Sequence, residues 1–319
     1  MAKFHHRFFD NGMNIAAALA VLLAASLSGC VTGTDSAQNA ALPRIPGAGV
    51  TVYAAGDIAD CRNFKPADSG AAQTARLIMD GLAKDDSAAV LALGDNTYPS
   101  GRPTEFTSCY EPTWGRFKAR TYSAPGNHEY YTQGATGYYG YFGDAAGPAR
   151  RGYFSFNLGK WHVISLNSNL KQAAEHLAQL EWLKTELDQH KTRCTLAYWH
   201  HPVYSSGGHG DSVQMQDIWQ VLAAAGADVV LVAHDHDYER FAPQGGSGQL
   251  DKMRGIRQFV VGTGGAKLTP FRLRRPNSEV GDNSTHGVLK LVLRETGYEW
   301  EFLPVTQDGF TDRGMALCH

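Results

Sequence analysis

The chain has 319 residues, 43% of them hydrophobic, enough for one large core or two modest ones. Its formal net charge of −2 and the lack of any long basic run argue against a broad nucleic-acid-binding surface. A small anionic substrate would need local positive charge, most simply bound cations.

Lys3 and Arg7 precede the apolar run from Ile15 to Leu27, which is too short to span a bilayer and right for the core of a signal peptide. The run closes on Leu27-Ser28-Gly29-Cys30. An ordinary secretory signal can contain such a cysteine. The ending also resembles the bacterial lipobox, in which cleavage before Cys30 lets acyl chains anchor the product to a membrane. On that reading residues 1–29 are a lipoprotein signal peptide, and the mature chain is an exported, membrane-anchored lipoprotein facing the periplasm or the cell surface. Residues 30–48 are small, polar and proline-containing, and read as a flexible tether. Residues 49–319 have globular composition, with no second linker of that length.

Within the domain, apolar runs predict buried strands at Val50–Ala55, Ala89–Leu93, Thr195–Trp199, Asp228–Ala233 and Arg257–Val261. Helical periodicity predicts helices at Ala71–Leu82, at Leu170–His190, where Leu177, Leu180, Leu183 and Leu187 share a face, and at Val213–Ala225. Two hairpins are expected, Tyr153–Leu158 with Trp161–Asn167 and Val288–Arg294 with Tyr298–Val305. Mixed strands with helices between them suggest an α/β protein of two packed sheets with helices outside.

Setting Cys30 aside leaves Cys61, Cys109, Cys194 and Cys318, an even number for an oxidising compartment. Three pairings are open. Cys61 with Cys109 is preferred because both lie in loops after polar strand ends, and Cys194 with Cys318 would then tie down the C-terminal tail.

Five polar clusters carry metal-ligand residue types, and most close an apolar run: Gly56-Asp57-Ile58-Ala59-Asp60, Gly94-Asp95-Asn96-Thr97-Tyr98, Gly126-Asn127-His128-Glu129, His200-His201-Pro202 and Ala233-His234-Asp235-His236. The Gly126 cluster follows only a short, poorly defined run. Ligands bind where the strands of open α/β sheets end, so these clusters predict one dinuclear metal site. His234 and His236, two apart, can leave the same side of an extended segment. Carboxylate, imidazole and amide together suit iron, manganese or zinc rather than calcium.

This order of motifs resembles the calcineurin-like metallophosphoesterase superfamily, and Gly-Asp-x-x-Tyr in the second cluster resembles its purple acid phosphatase branch. The resemblance implies a four-layer α/β/β/α sandwich of two mixed sheets. It implies one metal held by Asp57, Asp95, Tyr98 and His236, and another by Asp95, Asn127, His200 and His234, with Asp95 bridging. Fe(III) would sit at Tyr98, with Fe(II), Zn or Mn at the other site. Hydrolysis of small phosphomonoesters by a metal-bound hydroxide follows, with inversion and no phosphoenzyme. Two positions depart from the family pattern, Ala59 and Ala233, where glycine is usual; they leave the ligands intact if φ stays negative.

His128 resembles the histidine that contacts the phosphate or assists the leaving group, and His209 a second substrate histidine. For His209 an exposed loop residue is an equally open reading. Glu129, Asp60, Asp235 and Asp237 are expected to orient ligand imidazoles, and Glu239 with Arg240 to form a structural ion pair. Gly262-Thr263-Gly264-Gly265 reads as a loop, and Arg272, Arg274 and Arg275 as a solvated basic loop that could instead meet an anionic leaving group. The aromatic stretch from Tyr130 to Phe142 could line a cleft or pack internally. A phosphodiesterase is the alternative enzyme, and a surface lipoprotein that keeps the fold for binding is the alternative outside catalysis. No nucleic-acid binding and no obligate protein partner are expected.

Overall fold

The computed structural model describes residues 45–319. The expected signal peptide, Cys30 and most of the tether lie outside them. In chain order the strands are β1 (Gly49–Ala55), β2 (Ala89–Leu93), β3 (Thr121–Ala124), β4 (Phe154–Leu158), β5 (Trp161–Ser165), β6 (Cys194–Tyr198), β7 (Val229–Val232), β8 (Tyr238–Phe241), β9 (Arg257–Val261), β10 (Ser278–Asp282), β11 (Gly287–Arg294), β12 (Gly297–Pro304) and β13 (Arg313–Leu317). The helices are α1 (Gly70–Leu82), α2 (Pro103–Glu105), α3 (Asn127–Tyr130), α4 (Thr136–Phe142), α5 (Ala173–Gln189) and α6 (Gln216–Ala224).

Two mixed sheets result, in the orders β13-β12-β11-β1-β2-β3 and β10-β8-β9-β7-β6-β5-β4. Strands β1, β2 and β3 run parallel in the first, and β5, β6, β7 and β9 in the second. The sheets pack face to face through aromatic contacts on β12: Trp161 meets Tyr298, Phe259 meets Trp300, and Tyr238 meets Phe302. On the second sheet, residues alternate between this inner core and an outer one. Val229 and Leu231 of β7 point inward, while Val230 and Val232 join Leu183, Trp219 and Leu222 of α5 and α6. Both faces are thus dry, which is why these strands read as unbroken apolar runs. The protein is an α/β sandwich of two mixed sheets with helices outside.

The five apolar strands and both hairpins lie where the sequence placed them, within a few residues. Four strands were missed. β3 is short and partly polar, and β8, β10 and β13 carry charged residues, so none shows a clear apolar period. Residues 213–215 form a turn of 3-10 helix before α6, and α5 begins at Ala173 rather than Leu170. Leu180 and Leu183 are buried as expected, but Leu177 is 54% exposed, one turn before the helix meets the sheet. Packing starts ahead of residue 49: Ile45 is 2% exposed and donates its N–H to Glu299. Disulfides join Cys61 to Cys109 and Cys194 to Cys318, the preferred pairing.

Candidate metal centre

All five polar clusters follow the C-terminal ends of parallel strands: β1, β2 and β3 from one sheet, β6 and β7 from the other. Three of the residues named as ligands have a left-handed backbone, Asp57 (φ 57), Asp95 (φ 47) and His234 (φ 71). A non-glycine residue held there costs roughly 1–3 kcal/mol and persists only when its surroundings impose it. Ala59 and Ala233, the two departures from the family pattern, have no positive φ; the strain falls on Asp57, Asp95 and His234 instead. His234 therefore sits in a bent loop rather than the expected extended segment.

Each carboxylate divides its two oxygens between backbone and site. Asp57 Oδ2 accepts the His234 N–H at 2.8 Å, and Asp95 Oδ1 accepts the His128 N–H at 2.9 Å. The other oxygens face inward. Asp57 Oδ1 lies 2.8 Å from the Tyr98 hydroxyl and 3.3 Å from His236 Nε2, which is itself 3.2 Å from that hydroxyl. On the other side His200 Nε2 lies 3.1 Å from Asn127 Oδ1 and 3.2 Å from His234 Nδ1. Asp95 Oδ2 stands between the two groups, 3.2 Å from Tyr98 and 3.3 Å from His200. Glycine is required beside both carboxylates, because a Cβ on Gly126 would come within 2.1 Å of Asp95 Oδ1 and one on Gly262 within 2.7 Å of Asp57 Oδ2.

Ring tautomers are set by backbone carbonyls. His200 Nδ1 pairs with Leu93 O at 2.9 Å, and His236 Nδ1 with Lys267 O at 2.7 Å, so each turns Nε2 to the centre. The expectation that Glu129, Asp60, Asp235 and Asp237 orient ligand imidazoles is corrected, since Leu93 O at the end of β2 and Lys267 O in the loop after β9 hold the His200 and His236 rings, and the four carboxylates turn to other partners or to none. Glu129 is fully buried and accepts the N–H groups of Asn96, Thr97 and Gly126, lacing the second cluster to the third. Burial, then Asp95, pushes its pKa up to about 8. Asp60 clamps the Arg62 guanidinium through both oxygens. Asp235 accepts the N–H of His209 at 2.7 Å and faces its Nδ1 at 3.1 Å. Asp237 has no hydrogen-bond partner for its carboxyl among the described residues, and burial beside Asp235 and Glu239 drives its pKa well up.

Glu239 and Arg240 do not pair with each other. They point to opposite faces of β8, Glu239 to Ser206 and Arg240 to Asp312 and Glu279. Arg275 pairs with Asp211 at 3.1 Å, and Arg274 stands 3.7 Å from Glu239. The glycine-rich segment after β9 is a loop, and it passes directly behind the first cluster through Gly264 N–H to Gly56 O.

His128 is partly exposed; its Nδ1 is 2.6 Å from Pro99 O and its Nε2 3.8 Å from Asp95 Oδ2. His209 is exposed, with its ring 4.3 Å from that of His234. The hydrogen bond to Asp235 raises its pKa. His201, whose place between His200 and Pro202 suggests a residue that packs or hydrogen-bonds nearby, does both: its ring lies 4.3 Å from that of His234 and pairs with the Ser168 hydroxyl, and burial lowers its pKa to about 2. Tyr131 is also close: exposed, beside His128, it accepts the Asn127 side-chain N–H at 3.0 Å and so turns Oδ1 inward. Tyr138, Tyr139 and Phe142 are core residues. No sequence signal separated Tyr131 from them.

These donors fit a pair of cations. Asp95, His200 and His234 offer ligand atoms within 4.8 Å of one another, and Asp57, Tyr98 and His236 form the second group. Burial and the two carboxylates hold the Tyr98 phenol well above its ordinary pKa. A multivalent cation reverses that balance.

The sequence profile of calcineurin-like phosphoesterases matches residues 50–238, more than half of the chain. The chain belongs to the calcineurin-like phosphoesterase family. Within this family it is similar to purple acid phosphatase 15 of Arabidopsis thaliana, 30% identical over 190 residues, which are 47% of this chain and 35% of that protein. It is also similar to acid phosphatase type 7 of Mus musculus, 28% identical over 236 residues, 60% of this chain and 52% of that one. The chain thus spans about a third to a half of these relatives. Among solved structures, purple acid phosphatase PPD1 of Lupinus luteus superposes with TM-score 0.64 at 18% identity, covering 85% of this chain and 54% of that one. GAP50, described as the anchor in the inner membrane complex of Plasmodium, gives TM-score 0.64 at 14% identity, covering 85% and 89%. These two likenesses show the fold.

Proposed function

We propose that this phosphoesterase-family protein is an exported, metal-dependent hydrolase of small phosphomonoesters. The observation that carries the reading is Asp95 Oδ2, a single carboxylate oxygen that faces both donor groups. Asp57, Asp95, Tyr98 and His236 would hold one cation, and Asp95, Asn127, His200 and His234 the other. A phenolate with carboxylates and imidazole suits Fe(III) at the first; the amide and two imidazoles suit Fe(II), Zn or Mn at the second. When bound, such a pair polarises the phosphoryl oxygens and makes water nucleophilic at working pH.

The chain's own residues position and protonate. Leu93 O and Lys267 O fix His200 and His236, so neither ring must reorganise to ligate. His128 is held through Nδ1 by Pro99 O, which leaves Nε2 free to give a proton to the departing alkoxide. His209, braced by Asp235, stands against the His234 side and offers a second donor to the phosphate. The two disulfides support export to an oxidising compartment. A lipid anchor on Cys30 would appear as an acyl mass on the N-terminal peptide of the mature protein.

Turnover of p-nitrophenyl phosphate and of its bis-ester, before and after chelation, tests the activity. Monoester hydrolysis lost on chelation and restored by iron with zinc or manganese is expected. Preference for the bis-ester would make the protein a phosphodiesterase. A fully metallated protein that cleaves neither would leave a binding role; a protein of this fold, GAP50, is described as an anchor.

A further inference from the structure

A second cluster of metal-ligand atoms lies away from this centre, at the opposite end of β5. His162, near the start of that strand, is 2% exposed. Its Nε2 is 3.1 Å from Glu186 Oε1, on the last turn of α5. His190 caps the same helix four residues on, half-exposed, with Nδ1 3.0 Å from the same oxygen. The three ligand atoms lie within 4.8 Å of one another. Ser155 Oγ of β4 donates to Glu186 Oε1 at 2.5 Å, which fixes the carboxylate over the hairpin.

We propose that His162, Glu186 and His190 form a structural site for one divalent transition cation, of which zinc is the best match. Two imidazoles and one carboxylate are a ligand set for zinc, whereas calcium and magnesium require oxygen-rich shells. In tetrahedral zinc sites with bonds of ~2.0–2.1 Å, neighbouring ligand atoms stand about 3.3–3.4 Å apart. The two separations to Glu186 need open by only a few tenths of an ångström, and rotation of the half-exposed His190 closes the third side. Water completes the shell from the exposed flank. Burial also lowers the His162 pKa, so protons compete weakly for that ring near neutral pH. The cation would clip the C-terminus of α5 to the β4–β5 hairpin. His162 lies near the start of β5, whereas Ser168, whose hydroxyl meets His201 beside the main centre, lies beyond that strand's end. The three strand steps from His162 to Ser165 alone cover ~10 Å, so the clip stands apart from the catalytic residues.

The test compares the full-length wild-type protein with His190→Ala and Glu186→Gln. Each is equilibrated with excess zinc, desalted and analysed for metal. Wild type should retain one zinc equivalent more than either variant, whatever the occupancy of the main centre, and phosphate ester hydrolysis should be unchanged. Zinc added to chelated protein should raise the melting temperature of wild type by several degrees more than that of His190→Ala. Equal metal content in all three proteins, or equal zinc-induced shifts, would show that the cluster is only a hydrogen-bonded trio and overturn the proposal.

Discussion

The backbone N–H of His234 donates to Asp57 Oδ2 at 2.8 Å, tying the last polar cluster of the chain to the first across 177 positions of sequence. The same carboxylate presents its other oxygen to Tyr98 and His236. Asp57 therefore shapes the loop that carries two imidazoles as well as facing the candidate centre. Asp57→Asn keeps an acceptor for that N–H, and chelated protein should stay within about 1 kcal/mol of wild type. Asp57→Ala leaves the N–H buried and unpaired, which costs ~1–3 kcal/mol. Both variants should lose metal at the Tyr98 side and lose activity. Urea unfolding of chelated protein, with metal analysis of the native form, separates the two effects.

Tyr98→Phe removes the hydroxyl that touches Asp57, Asp95 and His236. If Tyr98 binds Fe(III) as a phenolate, iron-loaded wild type shows a broad visible charge-transfer band, and the variant is colourless at equal protein concentration. A coloured Tyr98→Phe protein would remove this tyrosine from the ligand set.

His128 touches Asp95 through its backbone, so truncating its side chain spares the 2.9 Å bond to Oδ1. His128→Ala should keep both metals and lower kcat on an alkyl phosphate by roughly 10²–10⁴-fold, the range for loss of a general acid. On p-nitrophenyl phosphate, whose aryl leaving group departs with little protonation, the loss should be much smaller. Loss of metal from His128→Ala would assign the ring a ligand role.

Burial pushes the His162 imidazole below its usual value, against the opposing pull of Glu186. The unfolded chain then takes up a proton near pH 6.5 while the folded protein does not. Stability from this group is complete above pH 6.5 and is lost as pH falls below it. In chelated protein the urea midpoint of wild type should drop more steeply from pH 7.5 to 5.5 than that of His162→Gln. Parallel slopes would contradict the assignment.

The Cys194–Cys318 disulfide closes a separation of 124 residues and pins the end of β13 to the start of β6. Cys318→Ser should cost about 2–5 kcal/mol under non-reducing conditions, within the range for loss of a native disulfide. Peptide mapping without reduction should recover the Cys61–Cys109 and Cys194–Cys318 pairs together.

Residue type and order along the chain marked five polar clusters of carboxylate, imidazole, amide and phenol donors after successive strands, and the family resemblance those clusters carry implied seven candidate ligands among them. Residue type and order also marked the strands buried on both faces, where dry packing demands uninterrupted apolar residues. Folding alone decided how those donors are held. The carbonyls of Leu93 and Lys267, the left-handed backbone at Asp57, Asp95 and His234, and the place of Tyr131 beside Asn127 leave no mark on residue type. Every residue has a carbonyl, and whether it meets an imidazole depends on how two sheets stack. The same holds for His162, Glu186 and His190, which read as unrelated polar positions until β5 and α5 pack together. Side-chain chemistry is local and visible in sequence, whereas orientation comes from backbone groups brought together by tertiary contacts.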